Sequence, residues 1–305
     1  MRLPLVQLIR TFSKPLTPLH VNHQRLDQRF RGVPYLKQDT MAFPVVLFDL
    51  YGTLLQSASG DIGRFQSLSI EDQISQGSGS LPSSETLEPL KPFLSILPKE
   101  ATLTTLRTWF RNEVERRHKD LQATYEVPEI RVEEVWSSIL RLSKEEAFEF
   151  SLRFELTVNP VYPMPGAREY IDFLKKKGIL LGLISNAQAF TPFYVEALFG
   201  ESLKDLGFLP ELTVFSYELG EAKPSPRLFQ VAANSLSFLG YSPEQTLYIG
   251  NDLQNDVWAP KQVGFRTALF CGDRRSLRLY DEDPQFKGVQ PDFLIKSFER
   301  GDPCM

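Results

Sequence analysis

Val45-Val46-Leu47-Phe48-Asp49-Leu50-Tyr51-Gly52-Thr53-Leu54 is the stretch whose reading decides the fold of this 305-residue chain. Four apolar residues in a row, two of them β-branched, read as a strand buried on both faces. A carboxylate at Asp49 closes that strand, and Gly52-Thr53 follow at once, which marks a strand-to-loop corner. In open α/β sheets, ligands gather beyond the carboxyl ends of the strands at such corners. Asp49 there either closes a turn or attacks a substrate.

Similar corners recur downstream. Ile179–Ile184 reads as a buried strand ending in Ser185-Asn186. Leu212–Ser216 is another, with Lys223 a few residues beyond it, and Leu247-Tyr248-Ile249 runs into Gly250-Asn251-Asp252 with Asp256 one helical turn on. Arg266–Phe270 supplies a further strand and Phe293-Leu294-Ile295 a short last one. Between them, Ala167–Lys177 is amphipathic and stops at Gly178, and Ser225-Pro226 opens a helix through about Leu239. Alternating strands and helices imply a parallel sheet covered on both faces, with right-handed crossovers. Each polar residue has a bland reading: Ser-Asn caps helices, most lysines are solvated, and acids cap helix starts. All of them in this order, each at a strand end, is a far less accidental pattern.

These residues resemble the haloacid dehalogenase superfamily from Val45 to about Phe270. Asp49-x-Tyr51-Gly52-Thr53 is similar to the family's first motif and Ser185 to its second. Lys223 in Gly220-Glu221-Ala222-Lys223-Pro224 is similar to the third, and Gly250-Asn251-Asp252-Leu253-Gln254-Asn255-Asp256 to the acidic fourth. The resemblance implies a Rossmann-like, doubly wound α/β sheet with an α-helical cap inserted between motifs one and two. Its periodicity supports that insertion: Leu106, Trp109, Phe110 and Val114, then Val132, Val135, Trp136, Ile139 and Leu140, fall three to four apart. The core is expected over 41–55 and 160–300, the cap over 100–159, and a flexible Ser/Gly/Pro-rich segment over 56–99.

The chemistry follows from what these groups can do. Asp49 is expected to be an ionised nucleophile that forms a covalent aspartyl intermediate. Ser185 and Asn186 are expected to donate hydrogen bonds to the transferring group, and Lys223 to offset the negative charge that collects there. Asp49, Asn251, Asp252 and Asp256 are expected to make a hard oxygen site for Mg²⁺. The substrate is then a small anionic molecule, most simply a phosphorylated metabolite. Tyr51 departs from that picture. Phosphatases of the family usually carry an aspartate there to protonate the leaving group, whereas Tyr51 matches the family's 2-haloacid dehalogenases. Asn251 likewise stands where an acid is usual. Carbon–halogen hydrolysis is therefore the alternative, with Arg107, Arg111 or Arg116 of the cap to hold a substrate carboxylate, and a non-catalytic or regulatory member of the fold is a third reading.

Composition narrows the setting. A net charge of -4 gives no reason to expect nucleic acid, and no apolar stretch is long enough to span a bilayer. Two cysteines, Cys271 and Cys304, argue against a disulfide framework and fit a cytoplasmic protein. His20, His23 and His118 all lie in the first half, which leaves little material for a histidine metal site or a Ser-His-Asp triad. Residues 1–40 are basic and lack sustained periodicity. They read as a disordered extension, with an organellar targeting peptide or a start at Met41 as alternatives. Oligomeric state is not legible.

Overall fold

A computed structural model describes residues 2–16, 19–37, 42–58, 87–99 and 101–299. Its centre is a six-stranded parallel sheet. In chain order the strands are β1 (Val45–Phe48), β4 (Leu180–Ser185), β5 (Phe208–Phe215), β6 (Thr246–Gly250), β7 (Arg266–Phe270) and β8 (Phe293–Ile295). A separate antiparallel pair, β2 (Leu55–Ser57) and β3 (Val161–Pro163), follows the Asp49 corner and brackets the insertion. The sheet order is β5-β4-β1-β6-β7-β8. From β1 the chain winds outward through β4 and β5, then returns to the other side of β1 for β6, β7 and β8. That reversal makes β1 the switch point where an open sheet leaves a crevice, and Asp49 stands at its lip.

Period-two alternation splits the strand residues between two cores. Val46 and Phe48 face helices Ala167–Lys176 and Thr191–Phe199, while Val45 and Leu47 face helix Arg227–Phe238. Both faces are therefore covered, which is why β1 is apolar throughout. The doubly wound α/β fold expected from the sequence is the one found.

Among the described residues, the insertion between β2 and β3 contains three α-helices, Leu103–Leu121, Val132–Leu140 and Lys144–Val158, with a core of their own. Trp136 is its hub, with ring centroids 4.7 Å from Phe150, 4.6 Å from Phe154 and 5.2 Å from Phe110. A 3₁₀ turn at Glu88–Phe93 adds Leu90 and Phe93 to the same core. Of the segment 56–99 expected to be flexible, 59–86 lies outside the described residues, whereas Gln56-Ser57 belong to β2 and 87–99 packs on the cap. His118, expected to be solvated on a charged face, is half-buried, and burial lowers its pKa.

The basic extension is the largest correction. Helix α1 (Arg2–Phe12) buries Leu5, Val6 and Ile9 against helix Thr191–Phe199, and Arg10 Nε donates to the Ala197 carbonyl at 2.9 Å. Helix α2 (His23–Arg29) seats Leu26, with Phe30 beside it, among Leu253, Val257 and Leu294. Leu36 N–H then donates to Leu294 O, and Leu294 N–H to Pro34 O, so this chain borders β8. Helix α2 has only seven residues, too few turns for a period to register in sequence, whereas α1 has eleven and carries the spacing of Leu5, Ile9 and Phe12. Tertiary packing, rather than propensity, holds them. Among the described residues no helix is long and apolar enough to cross a membrane.

Candidate active site

Asp49 is fixed by its neighbours before its side chain does anything. Its N–H donates to Ile249 O at 2.8 Å, extending the β1–β6 ladder one residue past the strand. The corner then turns through Gly52 at φ 91°. A Cβ on Gly52 would lie 2.7 Å from both Asn251 Nδ2 and Ser276 Cβ, so the close approach of this loop to the β6 loop requires glycine. Thr53 uses that proximity, with its hydroxyl 2.9 Å from Asn251 Oδ1 and 3.3 Å from Asp49 Oδ2.

The Asp49 carboxylate meets β4 and the loop before helix Arg227–Phe238. Ser185 Oγ donates to Asp49 Oδ1 at 3.1 Å, and Lys223 Nζ donates to the same oxygen at 2.8 Å. Lys223 also donates to Asp256 Oδ1 at 2.6 Å and to Tyr248 Oη at 3.0 Å. An ammonium carries three protons, so this one is fully used. Its side chain is only 3% exposed, and it lies between two carboxylates of comparable burial. Burial works against the lysine charge, but Asp256 and Asp49 overcome it and hold the ammonium well above the usual lysine range. Burial raises the Asp49 carboxyl to about 6, with Lys223 pulling it down and Asp256 pushing it up.

Asn186 serves this lysine in a way the sequence reading missed. Its Oδ1 accepts from Lys223 N–H at 2.7 Å and its Nδ2 donates to Lys223 O at 3.2 Å. The side chain expected to face a transferring group instead grips the backbone that carries the ammonium. Tyr51 is buried, and its hydroxyl shares a 2.9 Å hydrogen bond with Thr191 Oγ1 at the start of helix Thr191–Phe199.

The expected metal set divides. Asp252 Oδ1 accepts from Gln254 N–H and Asn255 N–H, each at 2.9 Å, and its Oδ2 accepts from Tyr280 Oη at 2.8 Å. Asp252 is thus a helix cap. Asp256 gives Oδ1 to Lys223 and Oδ2 to Asp252 N–H at 3.0 Å. A Cβ on Gly250 would collide with Asp256, so that side chain lies flat on the β6 backbone. Both of these acids already accept hydrogen bonds from protein donors, and no group of three or more His, Cys, Asp or Glu side chains among the described residues converges as a metal cage. What remains around Thr53 is one carboxylate oxygen, Asp49 Oδ2, and one amide oxygen, Asn251 Oδ1, while Asn251 Nδ2 is tied to Ser276 O at 2.7 Å. Hard oxygens with a single carboxylate fit a magnesium ion that keeps waters and shares a phosphate.

Two residues of this site escaped the sequence reading. Tyr248, inside β6, places its hydroxyl on Lys223, donates to Ile184 O at 2.7 Å and passes 3.2 Å from Asp256 Oδ1. A phenol in an otherwise apolar strand was the available signal. Tyr280 holds Asp252 from a segment after β7, and nothing local marks it.

A parallel α/β sheet whose first strand ends in a lysine-bridged aspartate defines a class of hydrolase. The chain belongs to the haloacid dehalogenase-like hydrolases, whose family model matches residues 43–264. It is 30% identical over 107 residues to a glyceraldehyde 3-phosphate phosphatase of Pyrococcus furiosus, covering 35% of this chain and 41% of that protein. It is 32% identical over 137 residues to a phosphoserine phosphatase of Thermus thermophilus, covering 44% and 48%. The chain thus spans less than half the length of these two relatives. A HAD phosphatase structure from Thermococcus onnurineus aligns over 83% of this chain and 94% of that one, with 19% identity and a TM-score of 0.49.

Proposed function

We propose that this hydrolase cleaves a small phosphorylated compound with Asp49 as nucleophile. The supporting observation is the grip of Lys223 and Ser185 on Asp49 Oδ1 inside a water-poor strand end, with Asp256 and Tyr248 fixing the lysine. Attack forms an aspartyl–phosphate bond as the bond to the leaving oxygen breaks, and water later cleaves the acyl phosphate. Lys223 and the Ser185 hydroxyl, already oriented, need no reorganisation to meet the charge that builds there. Asn186 acts earlier, by setting where Lys223 stands.

Mg²⁺ would be held by Asp49 and Asn251, and when bound it supplies positive charge to the phosphoryl oxygens. With Tyr51 committed to Thr191, no carboxylic acid stands two residues after the nucleophile to protonate the leaving group. That absence costs about 10²–10⁴-fold in rate for poor leaving groups, so good leaving groups are favoured. The relatives named as phosphatases support this reading. The test is turnover of p-nitrophenyl phosphate and a panel of phosphorylated metabolites with and without Mg²⁺. Turnover that requires Asp49 supports it; turnover that persists in Asp49→Asn overturns it.

Tyr51 and Asn251 favour a second reading, carbon–halogen hydrolysis, in which halide leaves unprotonated. Of the cap arginines that would hold a substrate carboxylate, Arg116 is engaged by Glu113 at 2.7 Å and Asp120 at 2.9 Å on an exposed helix face. Halide release from a 2-haloacid in EDTA would select this chemistry instead.

A further inference from the structure

The cap touches the core through a short strap. Between the first two cap helices, Ala222 N–H donates to Val127 O at 2.9 Å and Glu129 N–H donates to Gly220 O at 3.0 Å, with Pro128 opposite Glu221. This antiparallel pairing lies on the loop that leads directly into Lys223. It also delivers Glu129 into the interior. Glu129 Oε1 accepts from Gln188 Nε2 at 3.1 Å and from Ile130 N–H at 2.9 Å, and Oε2 accepts from Ser216 Oγ. Ser216 Oγ in turn accepts from Ala187 N–H at 2.9 Å. Gln188 N–H donates to Thr191 Oγ1 at 3.1 Å, the hydroxyl that meets Tyr51. Ala187 and Gln188 directly follow Ser185 and Asn186.

We propose that Glu129 is a positioning residue for the hydrolytic site: through Ser216 and Gln188 its carboxylate sets the loop bearing Ser185 and Asn186, and so the backbone of Lys223 that Asn186 grips. The inference rests on the hydrolase reading above and assigns the cap a role in ordering the core.

The hydrogen-bond inventory makes the arrangement sensitive to one proton. Ser216 Oγ has a single proton and two acceptors in reach, Glu129 Oε2 and, at 3.3 Å, Ala187 O. With Glu129 ionised, Ser216 donates to it, and all three donors around the carboxylate are satisfied. With Glu129 protonated, the acid donates to Ser216 Oγ, whose proton turns to Ala187 O in the loop itself. Burial raises Glu129 to about 7, while Ser216, Ile130 N–H and Gln188 oppose the rise. The charged groups around it are Glu133, which pushes the same way, Arg131, which pairs with Glu133 at 2.9 Å, and Glu221 on the paired strand, which Arg227 holds at 3.3 Å. Tyr217, next to Ser216, lies under Arg131.

Glu129→Gln mimics the protonated acid, because its amide donates to Ser216 Oγ. Steady-state kinetics on p-nitrophenyl phosphate from pH 5.5 to 8.5 read the effect. Wild type should gain about tenfold in kcat as Glu129 ionises, since small misplacements of catalytic groups cost that much or more. Glu129→Gln should keep the rise that Asp49 gives near pH 6 and lack the further gain near 7, with KM changed less than about twofold. Ser216→Ala, which removes the switching hydroxyl and keeps the charge, should lose the same limb. Hydrogen exchange at Ala187, Gln188 and Ala222, compared at pH 8, reads positioning without any substrate. Faster exchange there in both variants, with no fall in the melting temperature of Glu129→Gln, is the expected result. Wild-type pH profiles and wild-type exchange in the folded variants would overturn the inference, as would a loss confined to melting temperature. A wild type inert to p-nitrophenyl phosphate would remove the phosphatase reading, while the exchange comparison still decides the role of Glu129.

Discussion

The strand ends and the cap both bury carboxylates, and the two regions surround them with different partners. At the strand ends Asp49 and Asp256 flank the Lys223 ammonium, and Tyr248 takes its third proton. At the cap contact Glu129 is held by the neutral donors Ser216, Gln188 and Ile130 N–H, and on the last cap helix Glu155 accepts from Asn159 Nδ2 at 2.7 Å. Burial raises every one of these acids whose shift is resolved, but Asp49 stops at about 6, whereas Glu129 and Glu155 reach about 7. Asp49 starts from a lower ordinary value than the glutamates, so the upward shifts are similar. What differs is the partner: a cation offsets part of the desolvation at Asp49, and neutral donors alone do so at Glu129 and Glu155.

Breaking the first region should have the largest effect. Lys223→Met leaves Asp49 and Asp256 buried without their cation, and urea denaturation should show a loss of about 3–5 kcal/mol. Adding Asp49→Asn to that variant should recover part of the loss. A neutral Lys223→Met would mean that the ammonium does not compensate the cluster. Turnover should vanish in both.

The second region sets the pH dependence of stability, and the sign follows from the raised pKa. Below 4.5 Glu155 is protonated both folded and unfolded. As pH climbs past 4.5 the unfolded chain ionises first, so stability falls until the folded group also ionises near 7. Glu155→Gln, which keeps an acceptor for Asn159, should flatten that fall and be about 2–3 kcal/mol more stable than wild type at pH 8. Equal dependence of the two melting curves on pH would refute the assignment.

Asn251→Asp adds a second carboxylate to the proposed Mg²⁺ site. Its carboxylate keeps the bond from Thr53 but can no longer donate to Ser276 O, which should cost about 1–2 kcal/mol in EDTA. Mg²⁺ should then raise the melting temperature of the variant more than that of wild type, and a smaller rise would argue against Asn251 as an oxygen donor. The smallest effect belongs to Thr191→Val. It removes a partner of the Tyr51 hydroxyl and of Gln188 N–H at a loss of about 1 kcal/mol, and calorimetry should resolve it with the fold intact.

Legibility in the sequence followed the range of the interactions. Asp49, Ser185, Lys223 and Asp256 were readable because each follows an apolar strand and a parallel sheet sends all strand ends to one edge. The structure brings these four together. Asp252 reads two ways in sequence, since an acid at a helix start is equally a cap, and only the fold shows its Oδ2 accepting from Tyr280, 28 residues away. Asn186 misled, since its partner is a backbone 37 residues on. The basic extension hid two helices whose apolar faces need helix Thr191–Phe199 and the β8 edge to be worth forming.

By itself the sequence determined the alternation of buried strands and amphipathic helices, and with it the doubly wound sheet, the edge where strand-end polar groups gather and the place of Asp49 at its centre. These depend on local periodicity and on the handedness of parallel crossovers, which a chain carries within each unit. Only the tertiary structure decided which acids keep free oxygens, which amide grips Lys223, and that Glu129 reaches from the cap to the loop behind Ser185. Those assignments depend on which donors meet each carboxylate once water is excluded, and the donors arrive from distant parts of the chain. So it is with Asp49: its place was written in ten consecutive residues, and its charge is set by Lys223, 174 residues later.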